Sequence, residues 1–201
     1  MMKQLTLMIV FLSLMLGAGA QEKKKALPAE VEKVEGVPVF IFSLPDSKFE
    51  EVGKAFTAGH IIKVAVNDNV TVREKAVQLV QKALERKDKG KIPAFDAIIM
   101  DLYKEKAYAI KFVNKDNFLK AKVKNYEGVP VYFFSKPVGD YEVITTLDAD
   151  YSVRAARNLL LDKIESMIDR TLDKEKEGKI SHFDAVIISP DDLSETLIRF
   201  K

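Results

Sequence analysis

Two aspartates and two histidines are the side chains of this chain best suited to chemistry. Asp96 and Asp184 occupy the same tripeptide, Phe95-Asp96-Ala97 and Phe183-Asp184-Ala185. A carboxylate at the mouth of a central strand can serve as a general base or a metal ligand. The other reading, which we prefer, is an aspartate that satisfies backbone N–H groups where the chain turns from helix to strand. The histidines are His60 and His182, and a surface or turn position explains each more simply than a metal site does. Ser43 and Ser135, each ahead of x-Pro, read as turn-forming hydroxyls. Asn69-Val70-Thr71 is a glycosylation sequon only in a eukaryotic secretory pathway and is otherwise a helix start.

The other common catalytic patterns are missing. There is no cysteine, no Gly-x-Ser-x-Gly elbow, no Gly-rich phosphate loop and no His-x-x-x-His pair. No catalytic, cofactor-binding or metal-binding residue is therefore assigned, and no cofactor is expected. The rival reading is a hydrolytic or metal-dependent enzyme using Asp96, Asp184 and His182.

What positions these residues is stated twice by the chain. Glu35-Gly-Val-Pro-Val-Phe-Ile-Phe-Ser-Leu-Pro45 returns as Glu127-Gly-Val-Pro-Val-Tyr-Phe-Phe-Ser-Lys-Pro137, at an offset of 127 − 35 = 92. Gly90-Lys-Ile-Pro-Ala-Phe-Asp-Ala-Ile-Ile99 returns as Gly178-Lys-Ile-Ser-His-Phe-Asp-Ala-Val-Ile187, at an offset of 178 − 90 = 88. Two anchors in one order imply an internal duplication, with 92 − 88 = 4 fewer residues between them in the second copy. At offset 88 His182 faces Ala94, and His60 falls in the unmatched insertion.

The amino terminus reads as a secretory leader. One lysine at position 3 precedes the apolar run Leu5 to Leu16, and Gly17-Ala-Gly-Ala20 offers small residues for cleavage. Cleavage after Ala20 would leave 201 − 20 = 181 residues with a net charge of about +1. A mixed surface of that kind does not suggest nucleic acid as a partner. The expected destination is export, to the periplasm or beyond, without a stable membrane span once the leader is removed. A chain without cysteine must hold itself together by core packing alone.

Periodicity supplies the elements. Gln21 to Val34 reads as a charged tether, since Glu22-Lys-Lys-Lys25 is a charge run and Pro28 breaks regular structure. Val37 to Ser43 and Phe49 to Phe56 read as strands of an antiparallel hairpin around Pro45-Asp46-Ser47. Ile61 to Val66 could be a further strand. A helix is expected over about Thr71 to Lys87, with Thr71 and Glu74 as a capping box and Gly90 as a left-handed cap. Its stripe is Val72, Ala76, Leu79, Val80 and Ala83, matched by Leu160, Ile164, Met167, Ile168 and Thr171 on a second helix over about Tyr151 to Lys176. Phe95 to Met100 is the most apolar strand, hence central, and Lys106 to Phe112 pairs with it. Val113 to Tyr126 joins the copies, with Phe118 to Lys124 alternating like a short strand. The second copy adds strands Val129 to Ser135, Tyr141 to Leu147, Phe183 to Ser189 and Glu195 to Phe200. In the second helix, Leu159 falls off the apolar stripe beside Ala155, which suggests a second contact on that flank, whereas Arg157 falls on the stripe, so that the first turns project past the sheet or the arginine pairs with a carboxylate.

The expected architecture is α+β: a tandem duplication of a β-β-α-β-β unit, each a four-stranded, mostly antiparallel sheet with one covering helix. The segments are a leader at 1–20, the tether at 21–34, repeat 1 at 35–112, the joint at 113–126 and repeat 2 at 127–201. The sheet face that each helix leaves bare should meet its equivalent in the other copy, about a pseudo-two-fold axis.

Through Tyr141-Glu-Val143, the second helix and Phe183-Asp-Ala-Val-Ile187, the repeat resembles the small exported or cytosolic units of the YbjQ and RcsF kind. Phe183 stands where those units usually carry a small residue, and the cysteines of the RcsF type are absent. The resemblance implies an envelope-associated binding or sensing module without catalysis. The expected function is accordingly an exported, non-catalytic interaction module, whose partner is an envelope or extracellular protein or a small ligand.

Overall fold

The computed structural model describes residues 25–53, 56–57, 71–104, 106–149 and 160–201. The expected leader, His60, the expected strand at 61–66, and Arg157 and Leu159 lie outside them. Among the described residues the chain runs β1 (Ala29–Val31), β2 (Lys33–Val34), β3 (Val37–Ile41), β4 (Ser43–Pro45), β5 (Phe49–Glu51), β6 (Phe56–Thr57), α1 (Val72–Asp88), β7 (Ala97–Asp101) and β8 (Lys106–Phe112). It continues with β9 (Lys120–Tyr126), β10 (Val129–Phe133), β11 (Ser135–Pro137), β12 (Tyr141–Leu147), α2 (Leu160–Lys176), β13 (Ala185–Ile188) and β14 (Glu195–Phe200). This is an α+β fold of two mixed sheets.

One sheet has the order β2-β3-β7-β8-β5, with β6 also on β8. The other runs β11-β1-β9-β10-β13-β14-β12, with β4 also on β9. Each contains one parallel pair: Phe40 lies opposite Ile99, and Tyr132 opposite Ile187. The remaining pairs are antiparallel.

Three expectations need correcting. The hairpin between Val37 to Ser43 and Phe49 to Phe56 does not form. Phe42 adopts φ 58°, which bends the chain out of β3, and residues 43–45 pair with β9 instead. Phe134 repeats the bend at φ 52°, and β11 pairs with β1. The strand β5 then pairs with β8, setting Phe49 opposite Phe112. The tether is likewise structural from Ala29 onward. Ala29, Val31 and Val34 are buried, and the Tyr132 hydroxyl donates to the Leu27 carbonyl at 2.9 Å. Finally, the sheets are larger than four strands, because each takes up neighbouring segments that the repeat boundaries left out.

The turn between β2 and β3 explains why those segments are strands. Glu35 and Gly36 have φ 50° and 78°, and Glu127 and Gly128 have φ 47° and 82°. Two consecutive left-handed residues are the tight hairpin turn whose twist matches that of the strands.

The helices form over Val72–Asp88 and Leu160–Lys176, and the expected start of the second at 151–159 lies outside the described residues. Glu74 N donates to Thr71 Oγ1 at 3.1 Å and Thr71 N to Glu74 Oε2 at 2.8 Å, completing the capping box. Gly90 and Gly178, at φ 65° and 71°, close the two carboxyl ends. The apolar stripes named above are buried. Lys75 and Lys163, one per helix, are buried with them.

Alternation along the central strands divides the interior in two. Val39, Ile41, Ile98 and Met100 join Val131, Phe133, Val186 and Ile188 in the core that holds both helices. Phe40, Ala97, Ile99, Tyr132 and Ala185 face the other way, into a core shared with Ala29, Val31 and Ala121. Both cores draw on both halves of the chain.

Candidate functional site

The two Phe-Asp-Ala aspartates are used alike. Asp96 N donates to Ile110 O at 2.8 Å, and Asp96 Oδ2 accepts from Phe112 N at 3.0 Å. In the second half Asp184 N donates to Ile198 O at 2.8 Å, and Asp184 Oδ2 accepts from Phe200 N at 2.9 Å. Each carboxylate thus clasps the end of the neighbouring strand, β8 or β14. That differs from the expected service to the helix-to-strand turn, although the role is backbone support in both cases.

Their second oxygens differ. Asp96 Oδ1 accepts from Lys115 Nζ at 2.8 Å. Burial raises the Asp96 carboxyl, but the Lys115 ammonium and the Phe112 N–H outweigh it and hold the group below its usual range. Asp184 Oδ1 lies 3.8 Å from His182 Nε2. The other ring nitrogen, His182 Nδ1, is 2.6 Å from Glu175 Oε1 near the end of α2. Glu175 also accepts from Phe183 N at 3.3 Å. Arg199 closes the group, donating to the His182 carbonyl at 2.7 Å and to Glu142 at 2.9 Å. The structure therefore brings His182 and Asp184 together, while Asp96 is bound up at the equivalent point of the other half.

This cluster ties α2 to β13, β14 and β12. The acidic side chains meet the imidazole and guanidinium directly, and among the described residues no group of three or more His, Cys, Asp or Glu is arranged to hold a metal ion. Ser43 and Ser135 are buried strand residues rather than turn hydroxyls. Ser135 Oγ reaches the Phe133 carbonyl at 3.5 Å, and Ser43 Oγ has no hydrogen-bond partner among the described residues.

Sequence reasoning missed the polar contacts at which the halves meet. Arg73, in the first turn of α1, donates to Glu32 at 2.9 Å and to Asp191 of the β13–β14 turn at 2.8 Å. Its guanidinium lies 5.5 Å from the centre of the Phe134 ring, and the Arg73 backbone N–H donates to Pro190 O at 3.1 Å. A cation in the first turn opposes the helix dipole, and that anomaly was the available signal. On the other side, Tyr103 of the β7–β8 turn reaches Glu165 of α2 at 3.4 Å, with Lys124 Nζ 4.7 Å from the Tyr103 ring centre. Tyr126 donates to Asp169 at 3.2 Å, and burial together with that carboxylate pushes the Tyr126 hydroxyl up to about 12. Burial also raises the Glu165 carboxyl above its ordinary value. Each half therefore presents the turn between its last two strands to the helix of the other.

Among the described residues, no helix is long and apolar enough to cross a membrane. Comparison with known proteins finds no matching family model, curated protein or solved structure.

Proposed function

We propose that the chain is an exported, non-catalytic interaction module made of two copies of one β-β-α-β-β repeat, paired with each other. The observation that carries this is the common fate of Asp96 and Asp184. The carboxylates that would anchor a hydrolytic or metal-dependent site accept the N–H groups of Phe112 and Phe200 at 3.0 and 2.9 Å. A residue engaged in this way in both halves is explained by strand support and needs no reaction. The leader pattern and the likeness to small envelope units favour a place outside the cytoplasm. The partner is an envelope or extracellular protein or a small ligand.

One preparation tests the reading. Intact mass of secreted protein should correspond to a chain beginning at Gln21, and elemental analysis of the same material should find no stoichiometric metal. Asp96→Ala and Asp184→Ala should each cost on the order of 1–2 kcal/mol in denaturant unfolding, since each leaves a backbone N–H without its acceptor. Stoichiometric metal that disappears in the Asp184→Ala protein would overturn the proposal.

A further inference from the structure

We infer that the chain is a fused pair: each half carries a docking surface whose partner is the other half, and these surfaces, not the covalent joint at 113–119, hold the molecule together. This rests on the paired reading proposed above and adds the register of the pairing and the claim that the pairing survives without the covalent joint. A two-fold contact has a simple signature, in which exchanging the two copies sends every contact onto another contact. The offset of 127 − 35 = 92 does so for the following contacts among β1, β4, β9 and β11. It carries Ala29 opposite Pro137 onto Ala121 opposite Pro45, and Val31 opposite Ser135 onto Val123 opposite Ser43. It carries the hydrogen bond from Glu32 N to Phe134 O, 2.9 Å, onto that from Lys124 N to Phe42 O, 3.0 Å. The bond from Val138 N to Pro28 O, 2.7 Å, becomes that from Asp46 N to Lys120 O, 3.0 Å. Ala29 opposite Ala121 is carried onto itself, so the axis passes between those two alanines.

The exposed charges say which copies pair. Glu30 lies opposite Lys120 on one side and Lys136 on the other. If two second halves paired in the same register, Lys122 would take the place of Glu30 and stand opposite Lys120 and Lys136. Like charges directly across a ladder are unfavourable, so an acidic first strand and a basic second one select the unlike pair. The left-handed bends at Phe42 and Phe134 complete the device, since each diverts a short arm, β4 or β11, onto the other copy.

The test uses the whole chain. A protease recognition sequence is inserted between Asp116 and Asn117, in the joint and outside the paired strands, and cut after folding. The fragments should co-elute at the size of the uncut chain, with its strand content and with a melting temperature that depends on concentration. Fragments that separate, whether folded or aggregated, overturn the inference. A second measurement stands should the insertion itself prevent folding. Glu30→Cys with Lys120→Cys, in a chain that has no cysteine of its own, should close one internal disulfide on mild oxidation. Two thiols that stay free, or link only between molecules, would sink it. Metal in the secreted protein would undo the functional reading and leave fragment association untouched.

Discussion

Glu195 is a buried carboxylate in the second half at a place where the first half has none. It accepts from Thr171 Oγ1 at 2.8 Å, linking β14 to α2. At offset 88 the equivalent positions are Ala107 and Ala83, both fully buried. Burial lifts the Glu195 carboxyl above its ordinary value, and the opposing pull of Thr171, Arg170 and Lys174 does not restore it. A carboxyl raised in the folded state contributes stability below its unfolded value, about 4.3, and that contribution is lost as pH rises through the folded value. Glu195→Gln keeps an acceptor for Thr171 and removes the ionisation. The two proteins should therefore melt alike near pH 4, and the variant should gain on the parent as pH rises to neutrality. Melting curves that stay parallel across that range would show that Glu195 ionises without cost. Nothing in the spacing around Glu195 announces this site, because a single carboxylate opening an alternating strand normally faces water. The matched aspartates were legible, since Phe-Asp-Ala is written twice in the chain. Their hydrogen-bond partners were not, because those are backbone groups sixteen residues away in each half.

At the scale of elements, helices and central strands were readable and the arms were not. The stripe from Val72 to Ala83 follows a period that only burial on one side rewards, and Ala97 to Met100 is apolar on both faces. The first strands are short, with Ala29 and Val31 as the apolar alternation, and the charge run before Pro28 disguised them. A clearer signal was Val34-Glu35-Gly36-Val37, two residues between apolar runs, which is a hairpin turn by spacing. The bends at Phe42 and Phe134 could not be read, because nothing in an aromatic residue predicts a left-handed backbone. Both rings are buried, so what surrounds the bends is tertiary and lies outside the local sequence. The turns lead to a prediction. Glu35 and Glu127 occupy left-handed positions that asparagine tolerates better than glutamate. Glu35→Asn and Glu127→Asn should each stabilise by part of the roughly 1–2 kcal/mol that a left-handed residue costs, read as a shift in the denaturant midpoint at constant slope. A loss in either would mean that the glutamate side chain does more than occupy the turn.

For the whole molecule, the consequence of shared cores is that the halves cannot be altered independently where β1 and β9 meet. Ala29 and Ala121 are buried and directly opposite in an antiparallel pair, where side chains of facing residues lie about 4.5–5.5 Å apart at Cβ. Two alanines are the small residues such a meeting requires, and neither strand alone shows why its own should be small. Ala29→Leu and Ala121→Leu should each cost about 1–3 kcal/mol by overpacking. The double variant decides whether the two positions meet. If they do, the second leucine intrudes on space that the first has already disturbed, and the combined cost departs from the sum by at least about 0.5 kcal/mol. Val113→Ala, at an exposed position in the joint, serves as the reference and should add to either leucine without coupling. Additivity of the two leucines within about 0.3 kcal/mol would place the alanines in separate surroundings and remove the axis between them.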